Sequence, residues 1–175
     1  MYPGAHLAAR PDHPAVIMSD SGWTQTYAEL DAASNRLSRL FRAAGLQPGD
    51  HVALCLENHP RFMELVWGCE YAGLIYTAAS ARLTTDELAY VVDDCGARAF
   101  ITSRYKADQA AAIVGTTPGV ELRLMLDGVA AGHDSYEDAV AQHEPTPLPD
   151  RVAGVDMLYS SGTTGRPKGV LPAFE

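Results

Sequence analysis

The chain has 175 residues, enough for one good core and a second small lobe, and its 47% hydrophobic and 20% charged content is that of an ordinary globular protein. Thirteen Lys and Arg stand against 22 Asp and Glu, a formal net charge of −9. No basic cluster interrupts that acidity, which argues against a nucleic-acid partner.

The opening residues, "MYPGAHLAARPDHPAV", have neither the basic start nor the apolar stretch of a secretory signal. A hairpin is predicted next, with strands at residues 15–18 and 23–26 around a turn at 19–22. Thr26 caps the following helix, and Glu29, three residues on, completes a capping box. That helix puts Leu30, Ala33, Leu37, Leu40, Phe41 and Ala44 on one face and stops at Gly45 and Pro48. "HVALCL" reads as a buried strand at 51–56. A helix at 60–73 leads into strand "LIYT". The apolar run 62–76 is broken by Glu64 and Glu70 and is too short to span a bilayer. Thr84 and Glu87 form a second capping box, opening a helix with Leu88, Val91, Val92 and Cys95 inward. Strand "RAFIT", a helix near 106–114, strand "LRLML" and a short helix from Ser135 follow. "EPTPLPD" is a stiff connector, and "VDMLYS" is a last strand leading into a loop.

Several single residues read as scaffold. Cys55, Cys69 and Cys95 fall in apolar segments without metal-like spacing and read as reduced core residues. The six histidines include no pair four apart, so a zinc site has no support. Trp67 and Tyr71 read as core packing, and Asn58 as a cap for the helix near Pro60. Glu57 and Glu64 read as solvated or capping charges, and Asp93 and Asp94 as helix-closing residues without a third oxygen ligand for magnesium.

Apolar strands alternating with amphipathic helices predict an α/β fold with a mostly parallel sheet and helices on both faces. Ligands of such sheets gather at the carboxyl ends of strands, where the loop after "VDMLYS" emerges. That loop, "SSGTTGRPKGV", offers hydroxyls from Ser160, Ser161, Thr163 and Thr164, and backbone freedom at Gly162 and Gly165. Lys168, one of only two lysines with Lys106, adds a mobile positive charge after the stiff Pro167. Such a set suits a polyphosphate. A Walker A loop is excluded, because Lys168 precedes Gly169 and Val170 rather than a Ser or Thr opening a helix. The segment after it reads as extended chain, giving strand–loop–strand.

"YSSGTTGRPKGV" resembles the phosphate-loop signature of the adenylate-forming (AMP-binding) enzymes, which include acyl-CoA synthetases, peptide-synthetase adenylation domains and luciferases. A chance match of ten specified positions in such a chain is below roughly one in 10⁸. The stretch from "TQTYAELDAASNRL" through "QPGDHVALCLEN" to "YAGLIYTA", and then "RLTTDELAYVVDD", follows the family's order, so the similarity runs from about Ala15 to Val170. Ser161-Gly162-Thr163-Thr164-Gly165 is more similar to acyl- and aryl-CoA synthetases than to peptide-synthetase domains. Two departures stand out: "TAASARLT" replaces a Pro-x-Asn-Pro stretch, and "LPAFE" replaces a His-containing one.

The resemblance implies a fold that is the N-terminal part of the large domain of an adenylate-forming enzyme. Residues 1–150 would form an α/β subdomain, and 151–175 the strand and phosphate-binding loop that open the next part. It implies an AMP-forming acid–thiol ligase of fatty-acid metabolism, using ATP, Mg²⁺ and CoA to activate a carboxylic acid as an acyl-adenylate. The nucleotide-binding residues carried over are Ser160, Ser161, Gly162, Thr163, Thr164, Gly165 and Lys168. No catalytic residue falls in this chain, since the family's catalytic Lys, Thr-Glu metal pair and ribose-binding Asp follow the loop. The chain is therefore expected to be an N-terminal piece, inactive alone, of a cytoplasmic or membrane-peripheral enzyme without a transmembrane segment. The alternatives are an adenylating enzyme that loads a carrier protein, and a non-catalytic nucleotide-binding or homodimerising module.

Overall fold

The computed structural model describes residues 2–160 and 166–172. After a short 3₁₀ turn at Pro3–His6, β1 (Pro14–Ile17) and β2 (Thr24–Thr26) form the predicted antiparallel hairpin. Thr26 then caps α1 (Tyr27–Ala43): its hydroxyl accepts the Glu29 N–H, and the Glu29 carboxylate accepts the Thr26 N–H at 2.8 Å. The expected Leu30, Leu37, Leu40 and Phe41 are buried, but so are Asp31, Ser34, Asn35 and Ser38. Asp31 accounts for part of that polar stripe, accepting from Asn35 at 2.9 Å and from the Tyr71 hydroxyl at 2.6 Å.

A six-stranded sheet follows, in the order β7-β6-β5-β3-β4-β8, with every neighbouring pair parallel. Its strands are β3 (His51–Leu56), β4 (Ile75–Ser80), β5 (Ala97–Ser103), β6 (Leu122–Leu126), β7 (Asp134–Ser135) and β8 (Val155–Asp156). Such strands are buried on both faces, which is why "HVALCL" reads as a continuous apolar run. Val52, Leu54 and Leu56 pack with α1, α2 (Phe62–Ala72) and α5 (Tyr136–Ala141) on one face. Ala53 and Cys55 pack with α3 (Thr85–Asp94) and α4 (Ala107–Ile113) on the other. The doubly wound α/β arrangement expected from the sequence is therefore present. The three cysteines are free and buried in these cores.

The second capping box, Thr84 with Glu87, opens α3 as expected. Gly73, at φ 72°, closes α2 in the left-handed region that only glycine enters freely. The Pro-rich connector lies on α1, where Arg39 donates to the Thr146 carbonyl at 2.7 Å and the Pro147 carbonyl at 3.0 Å.

Three expectations are corrected. Asn58 is exposed and caps nothing; α2 starts from Arg61 without a side-chain cap, and His59 Nδ1 accepts the Arg61 N–H. Glu64 is not a solvated charge but 1% exposed beneath the N-terminal hairpin. "VDMLYS" is not one strand: it divides at Met157 into β8 and β9 (Leu158–Ser160), each with a different partner.

Candidate functional site

β8 lies at the sheet edge against β4, with Val155 beside Ile75 and Asp156 beside Tyr76. Met157 is the exit. Its N–H donates to the Tyr76 carbonyl at 2.8 Å, and its carbonyl accepts the Thr77 hydroxyl at 3.2 Å. The chain then leaves the sheet and forms an antiparallel hairpin from β9 and β10 (Lys168–Val170), the strand–loop–strand arrangement predicted from the sequence. Because β8 runs parallel to its neighbours, the hairpin rises from the carboxyl end of the sheet, where ligands of doubly wound folds bind.

The hairpin brings two of the sequence-predicted residues together. Ser160 and Lys168 are register partners at its loop end, both exposed. The other five, Ser161, Gly162, Thr163, Thr164 and Gly165, lie outside the described residues. Alternation along the two strands turns Leu158, Ser160, Lys168 and Val170 outward and Tyr159 inward, against the core shared by β3 and α3. Gly169 lies opposite Tyr159, and a Cβ there would run into the side chains of Met157 and Tyr159. Glycine thus leaves room for the Met157 methyl and for the tyrosine ring that crosses the hairpin.

Helix α3 meets both arms. The Tyr159 hydroxyl donates to the Asp94 carboxylate at 2.6 Å, and the Tyr90 hydroxyl donates to the Pro167 carbonyl at 3.1 Å. The Arg166 guanidinium lies 4.9 Å from the centre of the Tyr90 ring. Burial, and then the hydrogen bond to Asp94, hold the Tyr159 phenol well above its ordinary range, so it remains a donor at neutral pH. Sequence reasoning missed these three residues. The available signal was the spacing of Tyr90 and Asp94, four apart on one helix.

A second feature occupies the same end of the sheet. The connections leaving β3 and β4 pass to opposite faces, and between those strand ends lies a cleft of about 410 Å³. Leu56, Asn58, His59, Met63 and Ala78 line it. His59 is no free base there: its Nδ1 accepts the Arg61 N–H and its Nε2 lies 2.9 Å from Asp127. It ties the start of α2 to the loop after β6. The other lysine, Lys106, is 7% exposed and donates to the Ala81 carbonyl at 2.8 Å, a structural role.

Among the described residues no group of three His, Cys, Asp or Glu side chains could hold a metal ion. These residues therefore do not by themselves form a magnesium site. Among the same residues no helix is long and apolar enough to cross a membrane.

Comparison with known proteins agrees with this geometry. A feruloyl-CoA synthase of an Amycolatopsis species is 37% identical over 164 residues, covering 93% of this chain and 31% of that protein. A fatty acid–[acyl-carrier-protein] ligase of Streptomyces coeruleorubidus is 34% identical over 172 residues, covering 96% and 31%. The chain thus spans about a third of the length of these curated relatives. The crystal structure of an anthranilate CoA ligase in complex with anthranoyl-AMP superposes with a TM-score of 0.84, at 22% identity, over 96% of this chain and 32% of its own. That likeness bears on the fold. The family described as AMP-binding enzyme matches residues 5–172, from the 3₁₀ turn through both arms of the hairpin, and the chain belongs to that adenylate-forming family.

Proposed function

We propose that this chain supplies the phosphate-binding hairpin of an AMP-forming acid–thiol ligase, acting on a fatty or aryl carboxylic acid. The observation that carries the reading is the pairing of Ser160 with Lys168 at the mouth of a hairpin at the carboxyl end of the sheet, in a member of the AMP-binding family. In the first half-reaction a carboxylate oxygen attacks the α-phosphorus of ATP and pyrophosphate leaves. Charge builds on the departing group. The loop hydroxyls and amides from Ser160 to Gly165 donate hydrogen bonds to it, and the Lys168 ammonium opposes its charge. Neither role needs a shifted pKa. In the second half a thiolate attacks the acyl carbon of the adenylate and AMP departs, giving a thioester. The boundary near residue 150 then separates the scaffold from the segment that handles phosphate.

Two acceptors are chemically equivalent at this step, CoA and the phosphopantetheine of a carrier protein. We favour CoA from the 37% identical relative, while the 34% identical carrier-protein ligase supports the second reading. The whole protein that carries this chain, incubated with ATP and a panel of fatty and aryl acids, should release AMP with one acid class and form its CoA thioester. Transfer only to a phosphopantetheinylated carrier protein would replace CoA as the acceptor. AMP release with no acid at all would overturn the ligase reading.

A further inference from the structure

We infer that Tyr90 and Asp94 of α3 are positioning residues that clamp both arms of the hairpin bearing Ser160 and Lys168. The catalytic side of this inference rests on the ligase reading, while its structural side stands independently of it. The two tethers are separate and fall one on each arm. Tyr90 holds the Pro167 carbonyl, part of the peptide unit that joins Pro167 to Lys168. Asp94 holds Tyr159, the residue before Ser160. Each tether thus lies one residue from a predicted phosphate-binding group, and those two groups are register partners.

A two-stranded ribbon of three residues a side is marginal in water on its own. Its hydrogen bonds alone would leave the direction of Lys168 poorly defined. Helix α3 removes that freedom, because its own position is fixed by a capping box at one end and by buried Leu88, Val91 and Val92 along its inner face. Tyr90 and Asp94, one turn apart, carry that rigidity to the ribbon. Arg166 stacked on the Tyr90 ring and Gly169 beneath the Tyr159 ring complete the seat. Neither Tyr90 nor Asp94 is asked to touch a substrate. They act by holding a pre-formed geometry, and a small misplacement of a charge-stabilising group is costly to a chemical step.

The test is Tyr90→Phe, which keeps the ring under Arg166 and removes only the hydroxyl, with Tyr159→Phe for the other arm. Both are made in the whole protein that carries this chain. Hydrogen–deuterium exchange of the segment 166–170 should quicken about fivefold in either variant, while β3 and β5 keep their protection. In carboxylate-dependent ATP–pyrophosphate exchange, kcat/KM for ATP should fall about tenfold, and thioester formation from a pre-formed acyl-adenylate should be unchanged. Unaltered protection of 166–170 in both variants would overturn the clamp. So would loss of protection spread evenly over the sheet, or equal slowing of both half-reactions. If the wild-type protein shows no pyrophosphate exchange with any acid, the ligase reading fails, and the amide protection alone decides whether the clamp stands.

Discussion

Glu64 shows how much of this molecule is decided by single buried groups. It lies on α2 with its carboxylate 1% exposed, accepting from the Tyr136 hydroxyl at 2.7 Å, the Arg61 guanidinium at 3.2 Å and the Gln25 amide at 3.3 Å. A charge so placed is tolerated only while its donors remain, since a buried carboxylate left short of partners carries its full desolvation cost. Tyr136→Phe removes the shortest of the three with little change of shape. It should destabilise the fold by about 1–3 kcal/mol in urea unfolding. A loss within a few tenths of a kcal/mol would mean that Arg61 and Gln25 suffice. This network was illegible in the sequence, because Glu64 meets partners 39 and 72 residues away. The capping boxes were legible for the opposite reason: Thr26 and Glu29, or Thr84 and Glu87, satisfy each other within one turn. Asn58 was misread because its spacing before Pro60 suits a cap, whereas the first turn of α2 is closed by His59.

At the scale of elements, α1 and α2 approach closely where Gly68 faces Leu37. A Cβ at Gly68 would fall 2.5 Å from Leu37 Cδ2 and 2.7 Å from its Cγ, so the helices approach by virtue of a missing side chain. Leu37 is itself fully buried and has no free direction in which to withdraw. Gly68→Ala would gain helix propensity, about 1 kcal/mol in an exposed helix, yet overpacking should outweigh it. The expected outcome is a net loss of about 1–2 kcal/mol in denaturant unfolding, and a gain in stability would show that the helices separate cheaply. Strand boundaries show the limit of reading elements from the chain. "LRLML" matches β6 residue for residue, since Leu124, Met125 and Leu126 are buried in the two cores and Glu121 and Asp127 bound the run. "VDMLYS" looks equally continuous, but Met157 changes partners there, from β4 of the main sheet to β10 of the hairpin. Periodicity carries no information about which partner a strand takes.

For the whole molecule, the alternation of strands and helices was enough to reach a doubly wound parallel sheet, and the Ser/Gly/Thr loop with Lys168 was enough to reach the family. What lay beyond the sequence was how the hairpin is held: two tyrosine hydroxyls reaching across more than 60 positions of chain to join α3 to its arms. Long-range polar ties of this kind leave no local pattern. The resulting architecture has a rigid sheet, a cleft where the connections of β3 and β4 diverge, and a charged ribbon at the sheet edge. In the proposed function, residues up to about 150 serve as scaffold and the last segment meets phosphate. The central claim is that Lys168 stabilises charge on the departing pyrophosphate, and the measurement that tests it most directly is carboxylate-dependent ATP–pyrophosphate exchange by the whole protein, wild type against Lys168→Ala. The account predicts that exchange falls about 100-fold while a pre-formed acyl-adenylate is still converted to thioester at the wild-type rate. Exchange that survives the substitution, or equal slowing of both half-reactions, would contradict it.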